Sequence, residues 1–256
     1  MRRVGVRAVA ARALRWLLRG ALWALAALVI FVLLLRWLPP PTTAFMLADR
    51  IGAVLEGDFG YRNRYDWVPL ERISPQAALA VIASEDQRFP FHTGFDFESI
   101  RKAVRYNERA AARGRPLRGA STLTQQVAKN LFLWSGRSWP RKGLEAGITL
   151  LIEALWPKER ILEVYLNIAE FGRGVYGVQA ASQRFFNKDA KRLTRREAAT
   201  LAAVLPAPKR WKVDAPPARV LRRRDAIMTQ MRLLGGPAFL KQLDDEEPPV
   251  QQPRGR

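Results

Sequence analysis

The chain has 256 residues, and 43 Lys and Arg against 23 Asp and Glu give it a net charge of +20. That excess suits a polyanionic partner such as anionic lipid, nucleic acid or a phosphorylated substrate, while 48% hydrophobic residues are too many for a disordered basic protein. With no Cys and a single histidine, His92, disulfide frameworks, thiol nucleophiles, zinc fingers and HExxH proteases are excluded, which leaves carboxylates, hydroxyls, amides and cations for any chemistry.

The first predicted element crosses a membrane. From Gly20 to Leu35 no side chain is charged or polar, and Trp16, Arg19, Arg36 and Trp37 flank the run. It is slightly short of the ~20 residues that span a ~30 Å hydrocarbon core. Arginines that snorkel and tryptophans that suit the interfaces extend the predicted helix to about Ala13–Leu38. Arg2, Arg3, Arg7, Arg12, Arg15 and Arg19 precede the run, and the first acid is Asp49. The positive-inside rule therefore puts the N-terminus in the cytoplasm, and everything beyond Pro39-Pro40-Pro41 on the far side, the periplasm or outer surface of a bacterium. A cleaved signal peptide and a buried core helix are the competing readings. The first lacks a clear A-x-A site, and length and flanking arginines oppose the second.

About +13 of the charge remains beyond Arg36, so the folded part is basic as well. Ser74-Pro75 reads as an N-cap and N1 proline opening a helix that ends near Glu85. Asp96 caps a second helix to about Arg113, which Gly114 and Pro116 end. Ser121 is expected to cap the next, through Leu131; Pro140 starts another to about Trp156, and Lys158 to Ala169 forms the following one. Gly172, Gly174 and Gly177 make a turn before a helix over Val178 to Phe186. Thr194 and Glu197 form a capping box for a helix that Pro206 stops. No stretch alternates convincingly as a strand, so the expectation is one mostly α-helical domain.

Four stretches carry chemistry-bearing residues. EDQRFPFHTGFD, Glu85 to Asp96, puts two carboxylates at a helix end, where Phe89 and Phe91 would desolvate one into a general base. A capped loop with solvated charges is the competing reading, and His92 reads as a structural hydrogen-bonding residue. In GASTLTQQVAKN, Ser121, Gln125 and Lys129 fall on one helical face, at a helix start suited to anions; an ordinary amphipathic helix competes. In RKGLE, Arg141 and Lys142 flank Glu145 at i+4 and i+3, either a helix-face salt bridge or, with Lys129, the cations a pyrophosphate leaving group requires. KERILEVYLN, Lys158 to Asn167, reads as core packing, Glu153 and Glu163 as structural, and Arg222 and Arg223 as exposed cations.

Taken in this order, the stretches resemble the peptidoglycan glycosyltransferase family, over roughly Trp67 to Lys209. The carrying motifs are ED-x-x-F-x-x-H-x-G-x-D, G-x-S-T-x-T-Q-Q-x-x-K-N, R-K-x-x-E and K-x-x-I-L-E-x-Y-L-N, and AEFGRGVYGVQAASQRFF is similar to the monofunctional branch; Ala120 stands where many members carry glycine. The resemblance implies a lysozyme-like, mostly α glycosyltransferase domain behind one transmembrane helix. It carries the catalytic glutamate onto Glu85 and the second glutamate onto Glu145. The substrate contacts it implies are Asp86, Phe89, Ser121, Thr122, Gln125, Gln126, Lys129, Asn130, Arg141 and Lys142. Lipid II and the growing glycan strand are the implied substrates, joined in β-1,4 linkage with inversion and release of undecaprenyl pyrophosphate.

The expected layout is a cytoplasmic tail over residues 1–12, a span over 13–38, a membrane-proximal segment over 39–66, the catalytic domain over 67–243 and a loose tail over 244–256. With the chain ending at Arg256 and no K-T-G present, no transpeptidase activity is expected. The sequence identifies no definite cofactor; a divalent cation, Mg or Mn, at the pyrophosphate is compatible with the reading, and the metal requirement and its ligands are left open. The membrane and other cell-wall or division proteins are the remaining expected partners, and nucleic acid is not one. Two other classes compete: a lysozyme-like enzyme that cleaves glycan, which has no reason to cluster three cations, and a non-enzymatic membrane-tethered polyanion binder, favoured by charge alone.

Overall fold

The computed structural model describes residues 2–114, 117, 119–136 and 138–243, and divides the chain into two compact units that meet between Pro40 and Pro41. Pro116 and the expected tail over 244–256 lie outside the described residues. The first unit is helix α1, Arg2–Leu34, whose segment Ala11–Leu34 is long and apolar enough to cross a membrane. Arg19 lies over the Trp16 ring and Arg36 over Trp37, pairing cation with aromatic at both ends of the apolar run. The helix stops short of Leu38, in a turn where the amides of Arg36 and Trp37 bond three residues back. The prolines that follow cannot donate, and they push preceding residues out of helical geometry.

The second unit contains α2 (Ala44–Leu55), α3 (Pro75–Glu85), α4 (Phe97–Ala111), α5 (Leu123–Phe132), α6 (Trp139–Leu155), α7 (Lys158–Ile168), α8 (Val178–Phe186), α9 (Arg195–Val204) and α10 (Ala218–Leu233). Helix α3 is its centre: every residue from Ala77 to Ala83 is buried. A helix apolar on all sides must be enclosed by others, and α9 and α10 enclose it. The alanines of α3 and α9 (Ala77, Ala80, Ala198, Ala202) leave room for close approach. On the other side α5 packs on α6 and α7, and α7 buries Ile161, Leu162, Tyr165 and Leu166 as its core reading expects.

The caps foreseen at Ser74, Asp96 and Thr194 are present, the last as a full capping box with Glu197. At α5 the sequence reading is off by one: Thr122, not Ser121, is the N-cap, and its hydroxyl accepts from the Gln125 amide while the Gln125 side chain accepts from the Thr122 amide. Gln125 stands three residues after Thr122, which is the spacing a reciprocal box requires.

Contrary to expectation there is a small sheet: β1 (Arg64–Tyr65), β2 (Glu170–Gly172) and β3 (Val175–Tyr176), in the order β1-β3-β2. β3 pairs parallel with β1 and antiparallel with β2. Strands of two or three residues carry no alternation to read. Buried Asn167 clamps the distant Val68, accepting from its amide at 3.0 Å and donating to its carbonyl at 2.9 Å. Gly177, at φ +83°, must be glycine because a Cβ there would come within 2.5 Å of the Asn167 carbonyl oxygen.

Candidate active site

Glu85 is the last residue of α3, which places its carboxylate where the helix gives way to a loop. Its Oε1 accepts from Ser84 Oγ at 3.0 Å and from Arg223 Nη2 at 3.1 Å, and its Oε2 from Gln126 Nε2 at 3.2 Å. Gln126 is itself oriented by Tyr165, whose hydroxyl donates to Oε1 of the amide at 3.1 Å. Three segments distant in sequence, around Gln126, Tyr165 and Arg223, thus converge on one acid. The aromatic shell expected around it is elsewhere. Phe89 is fully buried, edge-on to His92 with the Lys158 ammonium over its face, and Phe91 packs edge-on against Phe239.

Asp86 caps the same helix and faces the other way. His92 Nε2 lies 3.0 Å from both of its oxygens, and Oδ2 also accepts from the Leu123 amide at 2.9 Å. The carboxylate partner fixes Nε2 as the protonated nitrogen. Asp86 therefore ties the end of α3 to the start of α5, the structural part that the lone histidine was expected to play. Thr122 reinforces this joint by donating to the Gly94 carbonyl at 2.7 Å. Gly94 stands at φ +84°, where a Cβ would meet Thr149 of α6 at 2.8 Å. Behind it Glu153 accepts from Thr124 and Lys158, the role its helix position suggested.

The cations gather on α5 and α6. Glu145 is 2% exposed, with Arg141 Nη1 2.7 Å from Oε2 and Lys142 bonded to Oε1. The i+4 and i+3 spacing read from sequence thus becomes one acid held by two cations. A cavity of about 470 Å³ opens beside this triad and is also lined by Ser121, Gln125 and Lys129. Lys129 and Gln126 line a second cavity of about 300 Å³, which Asn130 and Glu170 share. The Lys129 ammonium lies over the Phe45 ring and has no ion-pair partner among the described residues. Burial holds its pKa below the usual lysine range; Glu145 opposes this, Arg141 and Lys142 add to it, and Glu85 opposes it more weakly. An anion entering the cavity would relieve that strain.

Of the expected substrate contacts, Ser121, Gln125, Gln126, Lys129, Asn130, Arg141 and Lys142 line these two cavities together with Glu145, whereas Asp86, Phe89 and Thr122 are buried in joints behind them. Arg223, expected to be an exposed cation, is half-buried and bonded to Glu85. The available signal was its place on α10, three residues after buried Val220 and four before buried Ile227. For a protein-held Mg or Mn the donor set does not fit: Arg141 and Lys142 occupy both oxygens of Glu145. Among the described residues no three His, Cys, Asp or Glu side chains come together either.

The family model described as Transglycosylase matches residues 52–232. Among curated proteins, the biosynthetic peptidoglycan transglycosylase of Pectobacterium carotovorum subsp. carotovorum (strain PC1) is 53% identical over 227 residues, 89% of this chain and 92% of that protein. The protein of the same name from Pseudomonas putida (strain GB-1) is 54% identical over 231 residues, 90% and 96% of the two chains. That from Yersinia pestis (strain Pestoides F) is 52% identical over 227 residues, covering 89% and 93%.

Proposed function

This chain belongs to the transglycosylase family, as a glycosyltransferase of peptidoglycan synthesis, and from that premise we propose that it polymerises lipid II with Glu85 as the general base. The observation that carries the reading is the juxtaposition of an acid at the end of α3 with a cation-lined cavity. One helix, α5, contributes Gln126 to the acid and Lys129 to the cavity.

In this mechanism Glu85 takes the proton of the 4-hydroxyl of the incoming GlcNAc. The hydroxyl oxygen attacks C1 of the growing strand's terminal sugar, and the C1–O bond to pyrophosphate breaks with its electron pair. Attack from the face opposite the leaving group turns an α-linked donor into a β-1,4 bond. A pyrophosphate leaves without a strong general acid when its charge is neutralised, and Lys129, Arg141 and Lys142 supply three cations where that charge develops. Glu145 holds two of them in place and prevents their mutual repulsion from opening the cavity. Cross-linking of peptides is outside the proposal, since the sequence contains no K-T-G.

The test is purified full chain with labelled lipid II, measuring binding and turnover separately. Glu85→Gln keeps the size and most of the hydrogen bonding, so lipid II still binds while polymerisation falls by ~100-fold or more. Glu163→Gln, a change at an acid paired with Arg160, keeps most of the activity. Polymerisation by Glu85→Gln at near the parent rate overturns the assignment. Fragmentation of finished wall, without growth of strands from lipid II, would make the protein a glycan-cleaving enzyme instead.

A further inference from the structure

We propose that Arg223 is a positioning residue for the glycosyl transfer: it occupies one oxygen of Glu85 so that the incoming sugar hydroxyl meets the other. This rests on the reading of Glu85 as the base.

The inward face of α10 is built on Val220, Ile227 and Met231, all buried, and Arg223 shares that face by helical spacing. A guanidinium on an apolar stripe is costly unless an anion or carbonyl receives it. α10 packs on α3, and the Arg223 side chain reaches the C-terminal end of that helix. There Nη2 lies 3.1 Å from Glu85 Oε1 and 3.5 Å from the Ser84 carbonyl oxygen. A helix C-terminus favours a cation even without the carboxylate.

The acceptor count then restricts the chemistry. An ionised carboxylate offers about four acceptor positions, two on each oxygen. Ser84 and Arg223 take both on Oε1, and Gln126 takes one on Oε2. One position is left, on Oε2. Rotating the carboxylate to present another would break three hydrogen bonds, one of them charge-assisted. The proton of the sugar hydroxyl therefore passes to Oε2, as the hydroxyl oxygen bonds to C1 and pyrophosphate departs with the C1–O electron pair. Arg223 contributes by holding the base still, and misplacement by about 1 Å is enough to cost ~100-fold in such a step.

The experiment measures kcat and KM for lipid II polymerisation by the full chain in detergent, with Arg223→Gln, Arg223→Lys and, as control, Arg222→Gln on the exposed side of the same helix. The expected result is a kcat lowered about 10- to 100-fold in Arg223→Gln with KM within ~3-fold of the parent. Arg223→Lys recovers part of that loss, and Arg222→Gln keeps parent values. A parent-like kcat in Arg223→Gln, or a loss confined to KM, overturns the proposal. If Arg223→Gln no longer melts cooperatively, Arg223→Met keeps the aliphatic stem in the stripe and carries the same expectation, and a parent-like kcat there overturns the proposal equally. Glu85→Gln separates this inference from the reading beneath it. Activity retained in that variant removes Glu85 as the base and the role of Arg223 with it, whereas activity lost there but kept in Arg223→Gln removes Arg223 alone.

Discussion

Lys129 and Arg222 carry the same charge in different surroundings. Lys129 lines both cavities, with burial holding its pKa down and no anion paired to it among the described residues, whereas Arg222 is exposed on α10. In the proposed transfer, only groups beside the developing pyrophosphate charge would stabilise the transition state more than the ground state, and one well-placed donor of this kind is worth about 3 kcal/mol. Lys129→Glu is therefore expected to cost ~100-fold or more in kcat/KM for lipid II, while Arg222→Glu stays within about 2-fold. Small and equal losses at both positions would mean that the basic residues act only by general attraction to an anionic surface.

At the scale of elements, the start of α5 holds the loop after α3 to the cavity-lining helix. Thr122 engages the Gln125 amide and the Gly94 carbonyl, while Ser121 is exposed at the cavity rim. Loss of an N-cap costs about 1–2 kcal/mol, so Thr122→Ala should lower the denaturation midpoint measurably. Ser121→Ala should change stability by less than about 0.5 kcal/mol. Equal stability losses would return the cap to Ser121. β2 supplies a pH-dependent element. The Glu170 carboxyl is pushed up to about 7 from 4.5, chiefly by burial, with Lys209 opposing, Asp49 adding and the Gly174 amide opposing. Between those values the folded protein holds a proton that the unfolded chain releases, so stability falls as pH rises through this window. Glu170→Gln removes that loss. Its melting temperature should match the parent's near pH 4.5 and exceed it above pH 7, by the equivalent of up to roughly 3 kcal/mol. A pH-independent difference would refute the assignment.

For the molecule as a whole, α1 is consistent with a single membrane anchor for a cell-wall enzyme. We propose an orientation from charge asymmetry: six arginines precede the apolar run and no acid occurs before Asp49. By the positive-inside rule the N-terminus is expected in the cytoplasm, which would put the unit beginning at Pro41 on the side where cell wall is built. A reporter fused after Arg256 is expected to be active only if it works in the periplasm. Activity from a reporter that functions solely in the cytoplasm would reverse the topology and separate the proposed base from its proposed lipid substrate.

The sequence by itself determined what depends on neighbours a few positions apart. Ser74-Pro75, Asp96 and the Thr194–Glu197 box mark their helices because a cap satisfies amides two or three residues on. Likewise the spacing of Arg141, Lys142 and Glu145 forces them onto one helix side. The order of the motifs carried the family resemblance for the same reason, each being a local signature. Tertiary structure alone decided which groups meet. The Glu85–Arg223 contact spans 138 positions and exists because α10 lies on α3. The run of arginines from Arg222 to Arg224 hid the apolar stripe that makes this possible. Phe89, expected beside the base, went into the core because its ring is fully enclosed there, with the Lys158 ammonium over its face. The paired strands stayed invisible because Arg64 and Val175, which pair in the sheet, lie far apart in the chain and each strand is too short to show alternation. Local hydrogen bonding can be read along a chain, whereas the partner of a buried charge is fixed by packing between distant segments, which no short stretch contains.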